Sequence, residues 1–100
     1  MDKRTMDKMY AEKKAYVEND LARMLRPFED FGSIQYARDA ITNQEYVKLT
    51  ETLGDVFFVN VTGSSQAAIG REVCRMALER HPEGLIRTKE KKREANRLFV

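Results

Sequence analysis

The sequence predicts one small α+β domain in which a three-stranded antiparallel sheet is packed against helices, in the order α-β-β-β-α-α. Three observations support this prediction: helical spacing of apolar residues near the N-terminus, an apolar run rich in strand formers in the middle, and a second helical pattern after it. One hundred residues suffice for a single core. We assign the domain to residues 1–86 and treat residues 87–100 as a basic C-terminal helix or tail.

The first predicted element is an amphipathic helix from Asp2 to Leu25. Its apolar residues recur at spacings of three and four, and charged residues such as Lys13 fall between them. Pro27 disfavours the helical conformation in the residue before it, so we expect the helix to end near Arg26. The Met and Tyr side chains of residues 6–25 also form a face that suits a homodimeric structural subunit.

The next two segments are predicted strands with open alternatives. Ser33 to Arg38 fits a strand, although its apolar spacing would equally suit a short helix. In residues 43–53, Thr42-x-x-Glu45 matches a capping box, which favours a helix. The run from Tyr46 to Thr50 is rich in strand formers, and for that reason we favour a strand.

Residues 56–62 form the clearest predicted strand. The run is apolar on both faces except at Asn60 and Thr62, which predicts a position in the middle of the sheet, covered on both sides. Gly63-Ser64-Ser65 then supplies a break and an N-cap for a helix that ends at His81-Pro82. The same junction could offer backbone N–H groups to an anion, but an ordinary cap is favoured.

Composition argues against export and catalysis. Cys74 is the only cysteine, so no intramolecular disulfide can form and we expect a cytoplasmic protein. No run approaches the ~18 apolar residues of a membrane span, so no membrane association is expected. His81 is the only histidine and lies seven residues from Cys74, too far for a catalytic dyad on one helix. We therefore expect no enzyme activity, no metal site and no cofactor.

Charge is unevenly distributed along the chain. Residues 1–26 carry a net charge of +2, residues 27–86 a net charge of −4 and residues 87–100 a net charge of +4. We expect an acidic group on the body to face a basic surface of a protein partner. That group is Asp39, Glu45, Glu51 and Asp55.

The C-terminal residues are the second candidate binding segment. Their positive charge would suit nucleic acid, with affinity that falls as salt rises. The candidate nucleic-acid-binding residues are Lys89, Lys91, Lys92, Arg93 and Arg97. Three apolar residues follow, and we expect them either to dock on the domain or to bind a partner. They are Leu98, Phe99 and Val100.

Residues 54–65, followed by Ala68-Ile69 and Val73, resemble a block in small uncharacterised proteins of phages and mobile elements of Firmicutes. Size and layout are similar to those of several inhibitors of CRISPR nucleases, which occupy sites on the nuclease. The resemblance implies a non-catalytic protein that inhibits or modulates a host protein or nucleoprotein machine. The alternatives are a nucleic-acid-binding accessory protein and a homodimeric structural subunit.

The element order is also similar to that of the double-stranded-RNA-binding domain. In that family lysines open the last helix, whereas residues 64–68 are uncharged here. This second resemblance therefore implies the layout of the domain and does not carry RNA binding with it.

Overall fold

A computed structural model describes residues 2–28, 30–79 and 97–99 of the chain. The predicted α+β class and the three-stranded antiparallel sheet are confirmed. The elements are α1 (Lys3–Ala15), a π-helical stretch (Tyr16–Leu21, the π segment), α2 (Ala22–Leu25), β1 (Phe31–Arg38), β2 (Glu45–Glu51), β3 (Val56–Asn60) and α3 (Gln66–Glu79). The predicted basic C-terminal helix or tail, residues 87–100, lies outside the described residues except at 97–99.

The first three elements form one helical stretch, as predicted, and it ends at Leu25. Asp2 caps its start, because the backbone N–H of Thr5 donates to Asp2 Oδ1 at 2.8 Å. The π segment is a departure from the predicted regular helix. Tyr10 and Tyr16 pack against the core of the same chain, whereas Met24 is exposed. Part of the face predicted for a homodimer is thus used within the domain.

The π segment aligns a stripe of buried residues that are each four positions apart. These residues are Lys13, Val17, Leu21 and Leu25. In a regular α-helix, a step of four residues exceeds the 3.6-residue turn, so such a stripe drifts around the helix. A π turn is wider because its hydrogen bonds join residues five apart, and it absorbs the excess. The stripe therefore stays directed towards the sheet.

The sheet has the strand order β1-β2-β3, with both neighbouring pairs antiparallel. The strand predictions for residues 33–38 and 43–53 are confirmed by β1 and β2. The middle position predicted for residues 56–62 is wrong, because β2 lies between the other two strands and β3 is an edge strand. Register places Tyr36 opposite Val47, and Val47 opposite Val59.

One face of the sheet, here called the inner face, packs against the helices. It contributes Ile34 and Tyr36 from β1, Val47 and Leu49 from β2, and Val59 from β3. These residues alternate along each strand, as expected for a sheet with one face on the core. The helical stretch supplies Val17, Leu21 and Leu25, and α3 supplies Ile69, Val73 and Met76.

The opposite, outer face carries a second small apolar cluster around Phe58. Only 4% of Phe58 is exposed, because Tyr46, Val56 and Phe99 pack around it. This contact explains why residues 56–62 are apolar on both faces although β3 is an edge strand. The cover comes from a residue near the C-terminus.

The predicted cap of α3 is confirmed, because the backbone N–H of Ala68 donates to Ser65 Oγ at 3.2 Å. Inside α3, Gly70 faces the hydroxyl of Tyr16, and a side chain at this position would collide with it. Helix α3 can therefore approach the π segment closely. No helix in the described part of the chain is long and apolar enough to cross a membrane.

Candidate protein-binding surface

Glu45 belongs to the interior and not to the acidic surface. Its exposed fraction is 2%, because strand alternation directs it to the inner face together with Val47 and Leu49. Its carboxylate accepts three hydrogen bonds, from Lys13 Nζ at 2.9 Å, Tyr36 Oη at 2.6 Å and the Gly63 N–H at 2.8 Å. The expectation that Glu45 faces a partner is therefore wrong.

The hydrogen bonds decide the charge state of this buried group. Burial raises the pKa of Glu45, but the bonds from Tyr36, Gly63 and Lys13 outweigh burial and lower it overall. Burial, and secondly the bond to Glu45, raise the pKa of Tyr36 far above its ordinary value, so its hydroxyl stays a donor. The network joins α1, the sheet and the loop before α3.

Lys13 is part of this network. The sequence places it among the charged residues between apolar positions, yet it is buried. Its spacing of four from Val17 was the signal in the sequence for its place on the buried stripe.

The junction at residues 62–65 was a candidate anion site. It directs the Gly63 N–H to the carboxylate of Glu45. A side chain of the same domain thus takes the place of a bound anion at Gly63.

The β1–β2 tip, residues 39–44, is held together by Asp39. Asp39 Oδ1 accepts the backbone N–H of Ile41 at 2.8 Å and that of Thr42 at 3.3 Å. These bonds lower the pKa of Asp39. Asn43 adopts a φ of 61°, a conformation that asparagine tolerates better than most residues. Asp39 therefore shapes the turn, and Ile41 at its apex is 92% exposed.

The β2–β3 tip, residues 51–55, presents an exposed leucine between two carboxylates. The Glu51 N–H donates to the Asp55 carbonyl at 2.8 Å, and the Gly54 N–H donates to the Glu51 carbonyl at 3.0 Å. Gly54 has a φ of 95°, which favours glycine. The Thr52 N–H donates to the carbonyl of Asp30 at 3.0 Å and fastens the tip to the loop before β1. Leu53 at the apex is 91% exposed.

The four predicted acidic residues do not form one cluster. Asp39 and Glu45 lie near one end of β2, whereas Glu51 and Asp55 lie at the other. The six residue steps from Glu45 to Glu51 correspond to about 20 Å along an extended strand. The structure brings only Glu51 and Asp55 together, and it places Leu53 between them.

The C-terminal candidates are described only at residues 97–99. The ring of Phe99 lies 6.1 Å from the ring of Phe58, tilted by 48°, so Phe99 docks on the domain. Arg97 is exposed. The other predicted residues lie outside the described part of the chain, and they are Lys89, Lys91, Lys92, Arg93 and Val100.

A groove of about 430 Å³ runs beside the free edge of β1. At this edge, Glu18 Oε2 accepts the backbone N–H of Tyr36 at 3.0 Å, and Lys14 Nζ donates to the carbonyl of Tyr36 at 3.3 Å. Across the groove, the guanidinium of Arg38 lies 4.0 Å from the ring centroid of Tyr10. Side chains of α1 and the π segment therefore occupy the edge hydrogen bonds of Tyr36 that another strand would use.

Comparison of the chain with protein-family models, with curated proteins and with solved structures gives no match. Within residues 2–28, 30–79 and 97–99, no group of three or more His, Cys, Asp or Glu side chains is placed to hold a metal ion. Cys74 is half-buried, and burial raises the pKa of its thiol, which opposes nucleophilic reactivity. His81 lies outside the described residues.

Proposed function

We propose that this chain is a small non-catalytic protein that modulates another protein by direct binding through the β2–β3 tip. The observation that carries the proposal is Leu53, an aliphatic side chain 91% exposed at the apex of a hydrogen-bonded turn between Glu51 and Asp55. The hydrogen bonds of the turn hold the backbone of the apex before a partner binds, so little conformational entropy is lost on binding.

The chemistry of the tip indicates the kind of surface it fits. Leu53 suits an apolar pocket, and burial of a leucine side chain contributes about 1.5–3 kcal/mol. Glu51 and Asp55 suit basic side chains around that pocket, where complementary charge speeds encounter and orients the partner. We therefore infer a partner with a basic surface and a small apolar depression, as on proteins that bind nucleic acid.

The resemblance of residues 54–65 to phage and mobile-element proteins extends the proposal to a cellular role. Residues 54 and 55 of that block belong to the β2–β3 tip. A tip that occupies a basic, nucleic-acid-binding surface would inhibit a nuclease or another nucleoprotein machine without chemistry of its own. We propose this anti-CRISPR-like role as the biological form of the interaction.

The chain offers a matched pair of variants for the test. Leu53→Ala and Ile41→Ala each shorten an aliphatic side chain more than nine-tenths exposed, at opposite ends of the sheet. Immobilised wild-type chain and both variants are exposed to a bacterial lysate, and captured proteins are quantified by mass spectrometry. We expect proteins that wild type and Ile41→Ala retain and Leu53→Ala loses, with dissociation constants for the purified target raised about 10- to 150-fold by Leu53→Ala.

Charge reversal supplies a second arm. Glu51→Lys with Asp55→Lys should abolish capture of the same proteins, and the loss should come mainly from a slower association rate. If both Leu53→Ala and the charge reversal retain the same proteins as wild type with unchanged affinity, the β2–β3 tip is not the binding surface.

A further inference from the structure

The edge of β1 presents backbone groups that face away from β2. The N–H of Tyr36 donates to Glu18 Oε2, and the carbonyl of Tyr36 accepts from Lys14 Nζ, so both groups point outward. Alternate residues of an antiparallel strand direct their backbone groups to the same side. Ile34 and Arg38 therefore face this edge together with Tyr36.

The side chains of β1 give this edge little protection of their own. Proteins commonly protect strand edges against pairing with charged side chains or proline. Residues 33–37 contain neither, and Arg38 at the end of β1 carries the only charge of the strand. The register shift between Phe31 and Ser33 affects only the beginning of the strand. Protection of the middle of β1 must therefore come from another element.

One pair of side chains on the helical stretch, here called the latch, supplies that protection. Lys14 Nζ and Glu18 Oε2 lie 2.8 Å apart, and they bond the carbonyl and the N–H of Tyr36 at 3.3 Å and 3.0 Å. The latch thus provides one donor and one acceptor, as a residue of a neighbouring strand would. It takes the place of a fourth strand at Tyr36.

The groove beside β1 leaves room next to the latch. Its volume is about 430 Å³, and its lining includes the latch, Tyr36, and Gln35 and Ala37 of the outer face. The side chain of Lys14 is 58% exposed and that of Glu18 is 29% exposed. The latch is therefore a surface contact, and its removal leaves the buried stripe of the helical stretch in place.

Strand β1 is also compatible with pairing to a second copy of itself. In an antiparallel pair centred on Tyr36, the Tyr36 residues of the two copies lie opposite each other. Ile34 then lies opposite Arg38, and Gln35 lies opposite Ala37. No like charges meet in this register, and each residue that faces the edge gains a partner for its backbone groups.

We propose that the edge of β1 is a latent interface between two copies of this chain, which the latch keeps closed. Removal of the latch exposes the N–H and the carbonyl of Tyr36, and β1 of a second copy then pairs with them. The two three-stranded sheets join into one sheet of six strands. With the latch in place, the chain does not pair through this edge. The interface is separate from the β2–β3 tip and does not depend on the proposed protein partner.

The test compares two double variants of the full chain. The latch variant is Lys14→Ala with Glu18→Ala, and the matched control is Asp20→Ala with Arg23→Ala, which removes an exposed ion pair of the same helical stretch. Sedimentation velocity from about 10 μM to about 1 mM gives the mass of each. We expect the latch variant to reach twice the monomer mass, whereas wild type and the control remain monomeric. Circular dichroism confirms that each variant is folded.

Hydrogen exchange of the Tyr36 amide reports the state of the latch directly. In Glu18→Ala this N–H loses a bond to a charged acceptor, so in dilute samples we expect exchange about 10- to 150-fold faster than in wild type. Glu18→Gln retains an acceptor oxygen and should keep most of the protection. The single variant Glu18→Ala opens the same N–H with a smaller change and should also dimerise, so the test does not depend on the folding of the latch variant.

Two further substitutions test the register of the pair. Gln35→Lys with Ala37→Lys, added to the latch variant, places positive charges opposite each other between the two copies. We expect this variant to return to the monomer mass.

Three results would overturn the proposal. The first is a folded latch variant that stays monomeric up to about 1 mM although its Tyr36 amide exchanges faster. The second is association of wild type or the control to the same extent as the latch variant. The third is a dimer that Gln35→Lys with Ala37→Lys leaves intact. Leu53→Ala should not change self-association, so failure of this proposal and failure of the protein-binding proposal are distinguishable.

Discussion

Replacing Glu45 with glutamine removes the charge of the buried carboxylate and nearly preserves its shape. The change weakens three hydrogen bonds, from Lys13 Nζ, Tyr36 Oη and the Gly63 N–H. A hydrogen bond to a charged group contributes about 1 kcal/mol more than one between neutral groups, so the three together account for about 3 kcal/mol. Lys13 is also left as a buried charge without its counter-ion, and breaking a buried pair costs about 3–5 kcal/mol.

These two estimates describe the same loss, so we expect Glu45→Gln to lower the free energy of unfolding by about 3–5 kcal/mol. That is a large share of the 5–15 kcal/mol typical of a domain. At about 4–8 °C per kcal/mol, the melting temperature should fall by at least about 12 °C. Urea unfolding followed by far-ultraviolet circular dichroism measures the change, with a lower midpoint and an unchanged slope as the expected signature.

Arg23→Gln is the matched control, because it breaks an ion pair within the helical stretch, Asp20–Arg23, whose side chains are both exposed. It should cost less than about 1 kcal/mol. The double variant Lys13→Met with Glu45→Gln should lose less than the sum of its single variants, since no buried charge remains. A Glu45→Gln chain within about 1 kcal/mol of wild type would refute the reasoning that this network holds the domain together.

Two further predictions concern stability. The folded state lowers the pKa of Glu45, so its contribution is complete above the ordinary value of about 4.3 and is lost as pH falls through the folded pKa. Unfolding of wild type should therefore become easier with acidification, and an equally steep acid dependence in Glu45→Gln would count against this origin. Gly70→Ala should destabilise by up to about 2 kcal/mol, because a clash of the new methyl group with the hydroxyl of Tyr16 costs about 1–3 kcal/mol and the higher helix propensity of alanine offsets about 1 kcal/mol of it. Tyr16→Phe in the same chain should recover part of that loss in thermal melts, and no recovery would mean that the clash lies elsewhere.

The fold was predictable where local patterns and tertiary packing agree. Apolar spacing of three and four predicted the N-terminal helix, and Pro27 predicted its end near Arg26. The sequence around residues 43–53 contains both a helix-capping motif and a run of strand formers. The strand formed because antiparallel pairing with β1 and β3 places Val47 and Leu49 in the core.

The errors share a physical cause, which is dependence on residues far apart in the chain. Lys13 can be buried because Glu45, 32 residues away, accepts its hydrogen bond. The sequence around Lys13 does not show that Glu45 is its partner, and the sequence around Glu45 does not show Lys13. Phe58 is covered by Phe99, so its apolar surroundings were mistaken for a sign of a central strand. Because these contacts join residues far apart in the sequence, β3 was predicted at the centre of the sheet and Glu45 was predicted on the surface.

The candidate site was predictable in part. Glu51 and Asp55 were singled out by charge, and the structure places them together at the β2–β3 tip. Leu53 is not among the predicted binding residues, because exposure of a side chain at a turn apex depends on which neighbours pack over it. Its position between two acidic residues and before Gly54 was the signal available in the sequence.

The π segment also determines where the N-terminal helical stretch tolerates a change in chain length. A wide turn of this kind holds one residue more than the same stretch of regular α-helix. Deletion of the exposed Asn19 would let the helix run uninterrupted, and Lys13 and Leu25 would then lie eleven residues apart, which is about three turns of a regular α-helix. Both residues would therefore still face the sheet. A deletion elsewhere in the helical stretch would instead rotate one end by about 100° relative to the other, so residues 16–21 are the place where this helix tolerates the loss of a residue.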